Sequence, residues 1–225
     1  MSLAPTDYDF GVPANYAFAE KITCSNDEAR RMYVEAFGHM LNYNHEQAIA
    51  CFTKCTELDP NCAMAWWGIA YCLSSSYNWS AGLGPGYDAI SQAVSLKDHC
   101  SELEQDLIMA LSKRHTKEAR DNANPAALNM GNSPELNQAF ADAMAPLYEK
   151  YSGDLDVTAV YVEALMNLNP WTLWNKDAST GEITPVDDST LMLIKIMEDA
   201  FENVPGAKEH PALCHLYCHA LELSP

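Results

Sequence analysis

His215, His219 and Glu222 fall at i, i+4 and i+7, so a helix through them projects all three from one face. Two imidazoles one turn apart make a bidentate metal arrangement, and a neighbouring carboxylate supplies the third ligand type of catalytic zinc and non-haem iron sites. Read as chemistry, this face holds zinc, iron or copper. Glu163 is then a further ligand, an outer hydrogen-bond acceptor or a general base, with Glu35 another candidate if stacked repeats bring it near. Read as structure, the same histidines are ordinary polar side chains, solvated or bonded to nearby carboxylates, and that is the commoner fate of such a pair. His210, just ahead of Pro211, joins only if the chain turns back, while Cys214 and Cys218 flank the face as softer ligands. Three residues separate those cysteines, one more than the C-x-x-C-H haem attachment sequence allows. Nothing places a base beside a nucleophile, so no Ser-His-Asp or Cys-His chemistry is indicated, and the leading expectation is a protein that is not an enzyme.

The elements that must carry these residues are helices. Apolar residues recur at three- and four-residue spacing over 26–42, 45–58, 62–76, 86–97, 101–115, 134–151, 155–168, 187–203 and 211–223, and no stretch shows sustained strand alternation. Irregular stretches at 74–86, 121–133 and 169–187 separate them, each longer than a repeat's turn and most simply a tolerated insertion. Gly82, Gly84 and Gly86 have the spacing of a phosphate loop, yet no strand precedes them and no Lys-Ser or Lys-Thr follows, so they read as a linker. Trp171 and Trp174, after Pro170, either clamp a planar or peptide ligand or, more commonly, anchor their own loop.

A repeat underlies the helices. With Ala29 as first position, Met32, Ala36, Ala48, Phe52, Cys55 and Pro60 occupy large, small, small, aromatic, small and proline places, and the register restarts 34 residues on with Ala63, Trp66, Ile69 and Ala70. The small residues let paired helices approach, the aromatic fills the gap, and the proline stops the second helix. The tetrapeptide Tyr33-Val34-Glu35-Ala36 returns as Tyr161-Val162-Glu163-Ala164 and, altered, as Tyr217-Cys218-His219-Ala220. In that alignment Glu35, Glu163 and His219 take a place usually given to leucine, where a polar group needs a partner. His39 and His45 replace aromatic residues and read as packed histidines; Cys51 and Cys55 read as small core residues.

These residues resemble the tetratricopeptide repeat family, closely over 29–73 and more loosely over 134–224. The strings NHEQAIACFTKCTELDPNCAMAWWGIAYCL, YVEALMNLNPW and HPALCHLYCHALELS are similar to a subgroup of that family with a His-Pro-x-x-x-His-x-x-x-His-x-x-Glu helix. The resemblance implies an all-α, TPR-like right-handed α-solenoid that acts as a binding scaffold, and a parent chain running past Pro225. One helical domain over 1–225 is expected: an N-terminal segment 1–25, the best-defined repeat and following helix at 26–76, degenerate helices at 86–120, and divergent repeats at 134–168 and 187–224. A groove for a protein or peptide segment is expected from Tyr33, Phe37, Trp67 and Tyr71 on the first helices, with Trp171 and Trp174 at the rim.

Composition limits the partners. The 31 acidic residues against 13 basic give a net charge of −18, which repels phosphate backbones and anionic lipid, so neither nucleic acid nor membrane is expected. The acidity itself reads first as a solvated convex surface. The longest uncharged run, 60–87, is interrupted well short of the roughly 20 apolar residues a bilayer requires. Eight cysteines sit within helical patterns and the first residues do not have the pattern of a signal peptide, which suggests a cytoplasmic setting with Asn78-Trp79-Ser80 left unglycosylated. The last helix carries Leu213, Leu216, Tyr217, Ala220 and Leu223 with no capping helix after it, an arrangement expected to self-associate or to pack on further chain.

Overall fold

In a computed structural model of the chain, residues 21–78, 85–121 and 133–225 are described. These residues are mostly helical, with ten α-helices and one short hairpin, and the chain gathers into two compact units. The first holds α1 (Asp27–Leu41), α2 (His45–Leu58), α3 (Ala63–Cys72), α4 (Pro85–Leu96), α5 (Glu102–Ser112) and the short α6 (Lys117–Asp121). The second takes in Ser75–Ser80 and all residues from Ser133, with α7 (Pro134–Lys150), α8 (Leu155–Met166), β1 (Trp174–Lys176), β2 (Ile183–Pro185), α9 (Asp188–Asn203) and α10 (Pro211–Leu221). Nine of the ten helices follow the sequence periodicity; α6 is added. The glycine run at 82–84 and most of the 121–133 stretch lie outside the described residues.

In the first unit α1 packs on α2, α2 on α3, α3 on α4 and α4 on α5, while α6 packs on α4. Ala29, Ala36, Ala48, Phe52, Cys55, Ala63 and Ala70 are all fully buried, so these small and aromatic side chains sit where helices meet. Gly68 shows why. A Cβ on it would lie 2.4 Å from Phe52 Cζ, so the aromatic ring of α2 occupies the space a side chain on α3 would need. Side chains close the helix starts: Asn26 accepts from the Ala29 N–H, and Ser101 and Glu104 form a capping box on α5. Glu104 also accepts from the Thr23 N–H and hydroxyl at 2.7 Å each, tying the segment before α1 to α5.

The second unit stacks α7 on α8, α8 on α9, and α10 on both α8 and α9. Between α8 and α9 the sequence pattern indicates no regular structure, but the chain forms an antiparallel pair with Trp174 opposite Pro185 and Lys176 opposite Ile183. Three-residue strands are too short to show alternation. The hairpin is held by its turn, where Asp177 accepts from the Ser179 and Thr180 N–H groups, and by Leu173, whose carbonyl accepts from the Val186 N–H and the Thr190 hydroxyl. All eight cysteines are free thiols, and no helix among the described residues is long and apolar enough to cross a membrane.

Candidate functional site

The four helix-borne aromatics expected to line a groove do not reach a surface. Tyr33, Phe37, Trp67 and Tyr71 are all buried, none more than 8% exposed. Tyr33 stacks on Phe37 and tilts against Phe52, with ring centroids 5.8 and 5.4 Å apart. Trp67 stacks on Tyr71 at 5.1 Å and donates its indole N–H to the Leu107 carbonyl on α5 at 3.1 Å. These residues therefore correct the groove expectation: large rings on closely paired helices serve as inter-helix packing.

The loop tryptophans divide. Trp174 donates its indole N–H to the Ala220 carbonyl at 2.7 Å, which satisfies a backbone group near the end of α10 and anchors the hairpin. Trp171 is 54% exposed and adopts a left-handed backbone, φ 62°, a conformation a bulky residue takes only when its surroundings impose it. There its ring stacks on Tyr77 at 5.1 Å and meets the edge of His219 at 5.7 Å; Tyr77 also tilts against His219 at 5.3 Å.

His219 is thus the centre of a cluster within the second unit. Its neighbour His215 stands edge-on with ring centroids 4.7 Å apart, and the Nε2 atoms of both rings converge on the Asn78 amide nitrogen, at 3.1 Å from His215 and 2.6 Å from His219. One NH2 group donating to two nitrogens requires both Nε2 atoms to be acceptors, so each imidazole carries its proton on Nδ1. The Glu222 carboxylate accepts from His219 Nδ1 at 3.1 Å, which fits that tautomer. Burial and the charge of His219 hold the His215 imidazole below its ordinary pKa. Burial and the Glu222 carboxylate raise the Tyr77 phenol, the Trp171 backbone N–H partly offsetting them. The result is two imidazole Nε2 atoms aimed at one point, a carboxylate behind one ring, and an aromatic wall.

Of the expected metal set, the structure brings together His215 and His219, with Glu222 behind the pair rather than facing the convergent nitrogens. Glu163, buried on α8, forms no three-ligand group with the two histidines, nor does any other His, Cys, Asp or Glu among the described residues. His210 is committed elsewhere: its Nδ1 accepts from the Leu213 N–H as the cap of α10, and its Nε2 lies 3.1 Å from the buried Asp156 carboxylate. Sequence spacing does not bring Tyr77 and Asn78 into this site, because nothing local connects them with a helix 137 residues later.

A second concavity in the same unit lies against α7, α8 and the start of α9. It encloses about 530 Å3; Ala141, Leu165 and Met192 supply apolar surface, and Asp142, Asp187 and Asp188 supply carboxylates. Asp187 accepts from the Ser189 N–H and hydroxyl and from the Asn169 amide, and these bonds hold its carboxyl below the usual range. No lysine, arginine or histidine contributes to the lining.

Comparison with known proteins adds no neighbour: no family model matches the chain, and no curated protein or solved structure matches it significantly.

Proposed function

We propose that the chain is a helical-repeat scaffold of tetratricopeptide type, and that it binds a basic protein segment carrying apolar anchors in the cleft against α7, α8 and α9. The carrying observation is the cleft itself, where apolar side chains and three aspartates meet with no basic side chain among the lining residues. Met192 at its edge is 43% exposed, apolar surface that a bound segment would cover. The net charge of −18 favours the approach of a cationic partner, and three of the carboxylates line this cleft. The Gly68–Phe52 fit and the buried small residues of α1 to α3 support the repeat reading of the first unit. The test is fluorescence anisotropy with a labelled peptide alternating lysine and leucine. Binding that weakens about tenfold in the Asp142→Lys, Asp188→Lys double variant and falls with added salt supports the proposal. Equal affinity for the wild type and the variant would remove the cleft from consideration.

A second reading rests on a separate observation, the convergence of His215 and His219 Nε2 on Asn78. A zinc, iron or copper ion displacing the Asn78 amide would meet two imidazoles, with Glu222 keeping His219 in the ligating tautomer. Metal analysis by plasma mass spectrometry on the wild type and on a His215→Ala, His219→Ala variant decides it, since a bound metal must disappear from the variant.

A further inference from the structure

The first unit contains a different cluster. Glu35 and His39 are one turn apart on α1, and Cys51 faces them from α2; one ligand atom from each residue lies within 4.8 Å of those from the other two. It is the sole such trio of His, Cys, Asp and Glu among the described residues. Cys51 is completely buried and His39 nearly so, while Glu35 keeps partial contact with solvent. The turn between the helices fixes His39 from both sides. Its carbonyl accepts from the Asn42 and Asn44 N–H groups, and Asn44 Nδ2 lies 3.3 Å from its Nδ1, so the Asn44 amide governs the ring's tautomer. Gln47 Nε2 lies 3.9 Å from the Cys51 sulfur, a weak donor to a thiolate there.

We infer that Glu35, His39 and Cys51 form a buried binding site for a divalent zinc-type cation, clamping α1 to α2. A thiolate, an imidazole and a carboxylate are the three protein ligand types zinc takes, and three of them leave a fourth tetrahedral position open to water. The three ligand atoms already lie close enough for one ion to meet all of them, so a divalent cation binds there without rearranging the two helices. A cysteine binds such a cation as thiolate, so binding breaks the Cys51 S–H bond, forms a metal–sulfur bond and releases one proton to solvent. Glu35, the least buried of the three, marks the side from which an ion enters. The site is separate from the His215–His219 pair and does not depend on the cleft proposal.

The experiment is a Co2+ titration of the full chain under reducing conditions, read by thiolate-to-cobalt charge transfer in the near ultraviolet, followed by Zn2+ competition. The expected result is one Co2+ per chain with a thiolate band that Zn2+ abolishes. The band should be absent in Cys51→Ser and present in His215→Ala, His219→Ala, and Zn2+ affinity should fall on the order of a hundredfold in Glu35→Gln. Because Cys51→Ser sits in a packed interface, the nearly isosteric Glu35→Gln at the less buried position carries the test if the serine variant does not fold. No thiolate band, a band that survives Cys51→Ser, or unchanged Zn2+ affinity in Glu35→Gln would each overturn the site and leave the trio as a hydrogen-bonding cluster.

Discussion

The tetrapeptide Tyr-Val-Glu-Ala occurs once in each unit, at 33–36 on α1 and at 161–164 on α8, and the two copies are used alike for packing but differently for chemistry. Both tyrosines are buried against another ring, Tyr33 against Phe37 and Phe52, Tyr161 against Tyr148 at 5.3 Å. Both alanines are buried at helix contacts. The glutamates diverge. Glu35 stands beside an imidazole and a thiol that belong to its own helix pair, whereas Glu163 is buried on α8 outside any three-ligand group. In the second unit the convergent imidazoles are on α10, and their partner Asn78 comes from far back in the chain. An identical local string thus specifies packing, while its chemical role depends on what the neighbouring element carries.

The aromatic residues sharpen the contrast, since the first unit buries Tyr33, Phe37, Trp67 and Tyr71 while the second leaves Trp171 exposed. The largest effect is expected from Trp67→Ala, which removes a buried ring and its bond to Leu107. A loss of about 4 kcal/mol is expected, read by urea unfolding, with hydrogen exchange rising first in α3 and α5. An effect below about 1 kcal/mol would mean the first unit is not packed around this ring.

Acidification comes next. His115 is buried in the first unit, its Nε2 bonded to Ser74 Oγ at 2.8 Å, and burial with the Arg114 charge lowers its pKa to about 4. The unfolded chain takes up this proton near pH 6.5, the folded chain only near 4, so the unfolded state binds more protons in that window. Stability therefore falls as pH drops from about 6.5 to 4, by about 3 kcal/mol, and is complete above 6.5. A His115→Gln variant should lose this part of the pH dependence in unfolding measured across the window.

Gly68→Ala should cost about 2 kcal/mol, because the new methyl overlaps the Phe52 ring. Pairing it with Phe52→Leu should recover part of the loss, which distinguishes overlap from helix propensity in a double-mutant cycle. The smallest effect belongs to Trp171→Gly. The exposed ring contributes little burial and glycine relieves the left-handed backbone, so stability should stay within about 1 kcal/mol of wild type while the His219 ring signals shift in NMR.

Helix periodicity alone specified nine of the ten helices among the described residues, since apolar spacing reports which face of a helix is buried without reference to its partner. The burial of Ala36, Phe52 and Ala70 was equally legible, because small and aromatic residues pack by size and size is a local property. The pair His215 and His219 could be read because i and i+4 share a face. The hairpin at 174–185 escaped for lack of length, and Asn78 and Tyr77 because their partners are about 140 residues away.

Tertiary structure decided the rest. Tyr33, Phe37, Trp67 and Tyr71 have the composition of a binding groove and the environment of a core, and amphipathic pattern cannot distinguish a face buried by a partner from one buried by the next helix. Cys51 reads as a small core residue in sequence; only the α1–α2 pairing sets it beside Glu35 and His39. His210 looks like a member of a metal motif until the fold brings Asp156 to it. Local sequence determines which faces a helix presents, because that follows from backbone geometry within a few turns, whereas which donors meet in space depends on long-range packing that no local spacing encodes.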